Sequence, residues 1–166
     1  MAQQVHRVLT QAYTQEAQLL GLPYFPPLQR SVADLQADPD AYLGAFIQGE
    51  LAGALAFGPD PEGGQLLVSL LVVAPAFQRR GVARALMARV LELAGPWPVA
   101  VATAQANTPA VLLYQGLGFQ AYRQGTVGPD ALPITKFRYP AGMAASVAVP
   151  SSPESGNPAP DQPPTP

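Results

Sequence analysis

Residues 70–86 have the sequence LLVVAPAFQRRGVARAL, the most informative segment of the chain. An apolar run ends at a proline, a short loop follows, and an amphipathic pattern begins after Gly81, which predicts a strand, a turn and a helix. A glycine at such a turn lets the backbone approach a ligand closely, and a helix start presents unpaired N–H groups to an anion. Arg79 and Arg80 lie where the helix dipole disfavours cations, by about 0.3–1 kcal/mol each. The segment fits a phosphate site, and it fits a tight turn with solvated arginines equally well.

The spacing of the glycines excludes two common kinds of phosphate-binding loop. Neither G-x-G-x-x-G nor G-x-x-x-x-G-K-[ST] is present, so the dinucleotide fingerprint and the P-loop are excluded. The pattern V-x-P-x-x-Q-x-x-G-x-A over residues 73–83 resembles the coenzyme-A signature of the GCN5-related N-acetyltransferase (GNAT) superfamily. The superfamily more often has glycine where Ala83 stands, and alanine is a common substitute. The resemblance implies that this loop and the first helical turn hold the pyrophosphate of acetyl-coenzyme A.

A second match, independent of the first, lies downstream. Residues 97–103 are a short apolar run that predicts a buried strand. Residues 107–119 then contain N-x-x-A-x-x-x-Y-x-x-x-G-F, predicted as a helix with Asn107 or Thr108 as N-cap and Pro109 in the first turn. The pattern resembles the other coenzyme-A-contacting segment of the GNAT superfamily, in the expected order and at the expected distance. Asn107 fits an ordinary N-cap nearly as well as a cofactor contact, and it can serve as both.

The composition excludes several classes of protein. A chain of 166 residues suits one domain with a proper core. The absence of cysteine and the single histidine exclude disulfides, a cysteine nucleophile and a histidine-rich site, so no metal is expected. A net charge of −2 gives no reason to expect nucleic acid or an acidic membrane surface as partner. No apolar run reaches the ~18–20 residues of a membrane span and the first residues do not resemble a signal peptide, so we expect a cytoplasmic protein.

The chain divides near residue 140. Prolines are dense from there onward, which removes backbone donors, and little apolar surface is left to bury. We therefore predict a folded domain over residues 1–139 and a disordered, proline-rich tail over residues 140–166.

Hydrophobic periodicity predicts the order of elements α-α-β-β-β-α-β-α-β-β. The predicted strands cover residues 42–47, 51–57, 65–73, 97–103, 119–124 and 134–139. Helices are expected over residues 5–20 and 32–36, and a third helix is expected to bury Val82, Leu86, Val90 and Leu93 on one stripe. The GNAT resemblance implies an α/β fold with a mixed, mostly antiparallel sheet, flanked by helices, in which one parallel pair of strands splays apart.

The resemblance also implies roles for individual residues. The strand from Leu71 to Val73 would pair through its main chain with the pantetheine arm, and the Val73 amide would polarise the thioester carbonyl. Tyr114 matches the tyrosine that protonates the departing thiolate, and the alternative is an aromatic side chain packed in the core. The residues expected around the phosphates are Gln78, Arg79, Arg80, Gly81, Val82, Ala83 and Arg84.

No residue is identified as the general base. Members of the superfamily often have a carboxylate on the strand that enters the phosphate loop, and the inward positions here are Leu67 and Ser69. Ser69 can position a water, although a hydroxyl that bonds the backbone is commoner. The other candidates are expected to be surface groups: Glu16, Asp60, Glu62, Asp130 and the exposed His6.

The expected activity is transfer of an acetyl group from acetyl-coenzyme A to a primary amine of a small molecule or peptide. Tyr24, Phe25 and adjacent prolines fit the wall of an acceptor groove, and fit the core equally well. An acyl-coenzyme-A sensor without turnover stays open, because the strand lacks a carboxylate. The third alternative is an interaction protein independent of coenzyme A that docks through the tail. The sequence leaves a homodimer open.

Overall fold

A computed structural model describes residues 1–140, which form a six-stranded sheet with helices on both faces. The helices are α1 (Ala2–Leu20), α2 (Val32–Ala37), α3 (Val82–Ala94) and α4 (Thr108–Gly116). The strands are β1 (Ala41–Ile47), β2 (Glu50–Pro59), β3 (Leu66–Val73), β4 (Val99–Ala104), β5 (Gln120–Val127) and β6 (Leu132–Tyr139). The predicted order of elements is confirmed. The predicted tail falls, from residue 141 onward, outside the described residues, and the division into domain and tail stays a prediction.

The strand order in the sheet is β1-β2-β3-β4-β6-β5, and every neighbouring pair except β3 and β4 is antiparallel. The first hairpin turns at Gln48 and Gly49, whose φ angles are 52° and 81°. Positive φ at both central residues is typical of the tight turn whose twist matches the flanking strands. The strands predicted over residues 42–47 and 51–57 therefore form a hairpin.

The parallel pair β3–β4 is short. It consists of the three pairings from Leu66 with Val99 to Val68 with Val101. Beyond Val68, β3 continues its pairing with β2, and beyond Val101, β4 continues with β6. The sheet therefore opens between β3 and β4 towards their carboxyl ends, as the predicted splayed pair requires. Because parallel strands need a crossover, α3 connects the two strands and begins at this open end.

Two hydrophobic clusters hold the helices against the sheet. On one face, α1 and α2 bury apolar side chains such as Leu9 and Leu35 with Leu70 of β3. On the other face, α3 and α4 contribute Met87 and Tyr114 to a cluster with residues of β2, β4 and β6. The sheet thus separates α1 from α4 everywhere except where it opens.

Two details of burial differ from the prediction. Leu93 is 48% exposed, and Ala94 is 3% exposed, because a step of four from Val90 along the helix reaches Ala94. Trp97 was placed in a buried strand, but it is 58% exposed and β4 begins only at Val99. Within residues 1–140 no helix combines the length and the apolar character needed to span a membrane.

Candidate active site

A cavity of about 840 Å³ occupies the opening between β3 and β4. Its walls come from both strands, from α1, from the loop before α3, from α4 and from β6. Every residue predicted for the site except Arg80 lines it: Leu71, Val73, Gln78, Arg79, Gly81, Val82, Ala83, Arg84, Asn107 and Tyr114. The Arg80 guanidinium lies instead over the Phe77 ring, 5.5 Å from its centroid.

The backbone of β3 faces the cavity after a bulge. The pairing with β2 shifts between Ala56 and Phe57, and past this shift the Ala74 N–H donates to the Ala52 carbonyl at 2.9 Å. Successive residues of a strand point their backbone groups to opposite sides. The N–H and C=O groups of Leu71 and Val73 are therefore directed away from β2, into the opening.

Gln78 ties the loop to both walls of the opening. Its side-chain amide donates to Gln15 Oε1 of α1 at 2.6 Å and to the Val73 carbonyl at 3.4 Å. The second contact agrees with the direction of the Val73 backbone. Gln78 thus connects α1 to β3 near the start of α3.

The start of α3 is open to an anion. Gly81 is its N-cap residue, has φ 79° and supplies no side-chain hydrogen bond to the first turn. By contrast, Ser31 caps α2 and Asn107 caps α4 through their side-chain oxygens. Arg79 also has a positive φ, 61°, which is uncommon for a residue with a side chain. A glycine in this conformation leaves the first N–H groups of α3 free for a ligand.

Positive charge surrounds this helix start. The exposed side chains of Arg79 and Arg84 line the cavity. Neither they nor Arg80 take part in an ion pair within residues 1–140. Charges that are not neutralised locally are suited to binding phosphates.

Tyr114 is buried between α4 and the sheet. Its ring centroid lies 5.8 Å from that of Phe119 and 5.9 Å from that of Phe137, and the side chain also lines the cavity. Burial raises the pKa of the Tyr114 hydroxyl, and the nearby Glu16 and Tyr13 raise it further. The hydroxyl is therefore protonated at neutral pH. The Tyr114 side chain thus packs in the hydrophobic core and also forms part of the cavity wall.

Glu16 is the acidic side chain of the cavity wall. It is half-buried on α1, and its Oε1 accepts a hydrogen bond of 3.0 Å from Asn107 Nδ2. The Asn107 side chain also accepts from the Ala110 N–H at 3.3 Å, which caps α4. Burial raises the pKa of the Glu16 carboxyl, and the hydrogen bond from Asn107 partly offsets this. The prediction that Glu16 is a solvated surface charge is wrong.

Sequence reasoning did not name Tyr13 and Gln15 of α1, which line the cavity, and it placed Glu16 of the same helix at the surface. One signal was present in the sequence. The buried stripe of α1 runs from Val5 through Val8 to Ala12 in steps of three and four, and a further step of four reaches Glu16. A carboxylate on the apolar stripe of a helix is a candidate functional group.

The other candidate carboxylates form structural contacts or lie at the surface. Asp60 was expected at the surface, but it is 7% exposed and accepts hydrogen bonds from the Glu62 N–H and from Gln65 Nε2. Glu62 is exposed and pairs with Arg123 and Lys136. Asp130 is exposed as expected.

The remaining candidates are placed as follows. The Ser69 hydroxyl donates to the carboxylate of Asp40, which sequence reasoning did not consider. Phe25 is buried and lines the cavity, whereas Tyr24 is 50% exposed and does not. His6 is half-buried, not exposed. Within residues 1–140 no group of three or more acidic or histidine side chains is arranged to hold a metal ion.

Comparison with known proteins identifies relatives. The sequence model of the acetyltransferase (GNAT) family matches residues 3–119. The UPF0157 protein YqkA of Bacillus subtilis (strain 168) is 34% identical over 121 residues, which are 72% of this chain and 35% of that protein. The chain therefore spans about a third of the length of this curated relative.

Solved structures share the fold. The ribosomal-protein-S18-alanine N-acetyltransferase of Escherichia coli superimposes with a TM-score of 0.68 at 16% identity, over 89% of this chain and 92% of that one. The paia N-acetyltransferase of Thermoplasma acidophilum, solved in complex with coenzyme A, has a TM-score of 0.65 at 15% identity, over 83% and 92%. The predicted fold class, a mixed sheet with one splayed parallel pair between helices, is confirmed.

Proposed function

The chain belongs to the acetyltransferase (GNAT) family, as its two motifs predict, and from this membership we propose that it transfers an acetyl group from acetyl-coenzyme A to a primary amine. One observation carries the proposal. The opened strand pair, the uncapped start of α3 and the Tyr114 side chain all border the same cavity. Such convergence of polar groups on one cavity is typical of an active site.

The residues on the cavity wall suit acetyl-coenzyme A. The N–H groups of Leu71 and Val73 and the Leu71 carbonyl are available to pair with the amides of the pantetheine arm, as an added strand would pair. The Val73 N–H would polarise the carbonyl that is attacked. The cosubstrate supplies the acetyl group as a thioester.

The phosphates would bind at the start of α3. The N–H groups of Gly81, Val82 and Ala83 and the positive end of the helix dipole favour an anion there. Arg79 and Arg84 would add charge-assisted hydrogen bonds. Gln78 would hold the loop in place through Gln15 and the Val73 carbonyl. Arg80, which packs on Phe77, would reach the phosphates only after leaving that ring.

Asn107 would contribute through position more than through direct contact. Its side chain is engaged by the first turn of α4 and by Glu16. We propose that it orients the helix that carries Tyr114, seven residues later and on the same side of α4.

Tyr114 would act as the general acid. Its raised pKa guarantees that the hydroxyl carries a proton at neutral pH. An ordinary thiol has a pKa of ~8.5, so transfer of this proton to a free thiolate is uphill. We therefore expect the transfer to accompany cleavage of the C–S bond, when negative charge on sulfur is still developing.

The acceptor would enter between α1 and β6. Phe25 and Pro27 border the cavity on one side, and Leu132 and Ile134 border it on the other. This apolar entrance leads towards Glu16 and Tyr114, and it suits an amine on an aliphatic or peptide carrier.

The experiment that tests the proposed function measures free thiol released from acetyl-coenzyme A in the presence of amines, peptides and aminoglycosides. The protein has no cysteine, so a thiol reagent reports only coenzyme A. We expect release with at least one acceptor class and a raised Tm with acetyl-coenzyme A. A raised Tm without release from any acceptor would favour an acyl-coenzyme-A sensor. If no acceptor gives release and acetyl-coenzyme A leaves the Tm unchanged, the use of acetyl-coenzyme A is refuted.

A further inference from the structure

We propose that Glu16, on α1, is the general base that deprotonates the acceptor amine in the cavity between β3 and β4. This inference rests on the proposed acetyl transfer. Alkylammonium groups have an ordinary pKa of ~10.4, so an acceptor at neutral pH must lose a proton before its nitrogen can attack. A carboxylate at the reaction centre, shielded from bulk water, is suited to accept it.

The geometry places Glu16 beside the acid. Glu16 lines the cavity that Tyr114 also lines, and its charge is close enough to raise the pKa of the Tyr114 hydroxyl. The hydrogen bond from Asn107 Nδ2 occupies Oε1 and leaves Oε2 for an incoming ammonium. Base and acid thus approach the same reaction centre from α1 and from α4, one from each face of the sheet.

The surroundings of Glu16 favour a base that works near neutral pH. Burial raises the pKa of its carboxyl towards the working range, with Asn107 as the opposing influence. Arg79 and Arg84 line the same cavity as Glu16, and the titratable groups that interact with Glu16 are Tyr13 on its own helix and Tyr114 on α4. Both are neutral at pH 7, and no cation within residues 1–140 contributes to the pKa of Glu16.

Asp40 is the competing carboxylate, and the structure favours Glu16 over it. Asp40 accepts a hydrogen bond from the Ser69 hydroxyl and packs so tightly against Gly58 that a Cβ there would lie 2.1 Å from its Oδ1. It does not line the cavity. Asp40 therefore has a structural partner already, whereas Glu16 faces the space where an acceptor would lie.

The proposed reaction balances as follows. Glu16 takes one proton from the alkylammonium, and the freed lone pair of nitrogen forms the N–C bond while the C–S bond breaks. The sulfur receives the Tyr114 proton, and the second proton shed by nitrogen restores the tyrosine. Glu16 then releases its proton to solvent. The products are the N-acetyl amide, coenzyme A with a free thiol and one proton.

The proposed base also assists the acid. Burial keeps the proton on Tyr114, and while Glu16 is ionised its charge adds to this effect. Once Glu16 has accepted the proton of the amine, that charge is neutralised and Tyr114 becomes a stronger acid at the moment when sulfur departs. Loss of Glu16 therefore affects both proton transfers.

The test compares Glu16→Gln with the native protein. Glutamine retains an oxygen that accepts from Asn107 but cannot take up a proton at neutral pH. Coenzyme A release with the best amine is measured from pH 6 to 10, and acetyl-coenzyme A binding is measured by calorimetry. We expect release at pH 7 to fall roughly 10²–10⁴-fold, the deficit to shrink as the pH approaches the amine pKa of ~10.4, where the free amine needs no base, and cofactor affinity to be retained. Glu50→Gln, the same change at an exposed carboxylate outside the cavity, should behave as native.

A second readout needs no turnover. In the protein without cosubstrate, carboxyl ¹³C resonances are titrated with and without n-propylammonium chloride, and Glu16 is assigned by its absence in Glu16→Gln. We expect the titration midpoint of the Glu16 carboxyl to lie above the ordinary value of 4.5. The midpoint should fall when n-propylammonium chloride is added, but not when sodium chloride is added at the same ionic strength.

Each contrary outcome has a separate meaning. Native rates and an unchanged pH profile in Glu16→Gln would overturn the base assignment and leave acetyl transfer intact, and a deficit at pH 7 that recovers towards pH 10 in Asp40→Asn alone would transfer the role to Asp40. Loss of cofactor binding in Glu16→Gln would make its role structural. If the native protein neither binds acetyl-coenzyme A nor releases thiol, the proposed function fails, and the base assignment with it.

Discussion

Asn107 Nδ2 and Glu16 Oε1 lie 3.0 Å apart and join α4 to α1, two helices that pack on opposite faces of the sheet. A contact between such helices requires that the sheet be open where they meet. The separation of β3 from β4 beyond Val68 and Val101 provides this opening. The same gap therefore creates the cavity, exposes the backbone of β3 and brings the proposed base and acid together.

Glu16→Gln should stabilise the protein at neutral pH. The folded-state pKa of Glu16 lies above its ordinary value of 4.5, so the native protein loses stability as pH rises from about that value through the raised pKa. Below both values the carboxyl is protonated in either state and contributes no pH dependence. Urea unfolding of native and variant protein between pH 4 and 8 should show a difference that grows with pH in favour of the variant. A difference that is flat or shrinks would contradict burial of an ionised Glu16.

Asn107→Ala should reduce both stability and turnover. It removes the N-cap of α4, at a cost of about 0.5–2 kcal/mol, and it frees Glu16 to move. Ser31→Ala is the matched control, because it removes the N-cap of α2 and Ser31 does not line the cavity. Both variants should lose similar free energy of unfolding in urea, but only Asn107→Ala should lose kcat for coenzyme A release. Equal activity of the two variants would show that Asn107 is a cap and nothing more.

Tyr114→Phe should slow turnover without weakening cofactor binding. The phenyl ring keeps the packing against Phe119 and Phe137, while the proton donor is lost, which typically costs roughly 10²–10⁴ in rate. Steady-state kcat and calorimetric Kd for acetyl-coenzyme A separate the two effects. Tyr122→Phe, which loses a hydroxyl partner of Gln65 outside the cavity, should leave both quantities unchanged. Native kcat in Tyr114→Phe would remove the acid from the mechanism.

Gly81→Ala should weaken acetyl-coenzyme A binding beyond its effect on stability. A Cβ at Gly81 meets no protein atom within 4 Å, so it would occupy the space proposed for a phosphate, and φ 79° strains any L side chain by about 1–2 kcal/mol. Gly21→Ala imposes a similar strain, at φ 64° and also in open space, at a residue that does not line the cavity. Thermal unfolding should report similar losses for both, and calorimetry a reduced affinity only for Gly81→Ala. Equal affinities of Gly81→Ala and Gly21→Ala for acetyl-coenzyme A would argue against a phosphate bound at this turn.

Gly53→Ala should destabilise the fold. The added Cβ would lie 2.9 Å from the Val72 carbonyl oxygen and 2.9 Å from Val82 Cγ1, so β2 and α3 would have to separate. Overpacking of this kind costs about 1–3 kcal/mol. Gly125→Ala is the control, since it also replaces a strand glycine but meets nothing within 4 Å. The urea midpoint should fall for Gly53→Ala only, and equal midpoints would contradict the tight packing of α3 on β2.

Much of the fold was predictable because its signals are local. The hairpin turn at Gln48 and Gly49, the capping box of Ser31 and the strand, loop and helix around Gly81 each depend on residues within a few positions of one another. The burial of Leu93 was mispredicted because a helical stripe fixes a direction but not the point where contact with the sheet ends. Trp97 was mispredicted because an apolar composition does not reveal where a strand begins.

Contiguous residues encode the order of the elements, the family and the segment that forms the start of α3, because periodicity, caps and the coenzyme-A motif are local signals. The composition of the reaction centre depends instead on tertiary contacts. Glu16 and Asn107 are 91 positions apart, and their contact depends on where the parallel pair ends and on how α1 and α4 pack on the two faces. Long-range packing of this kind brings Glu16 beside Tyr114, whereas the helical stripe of α1 indicates only that Glu16 shares a face with buried residues.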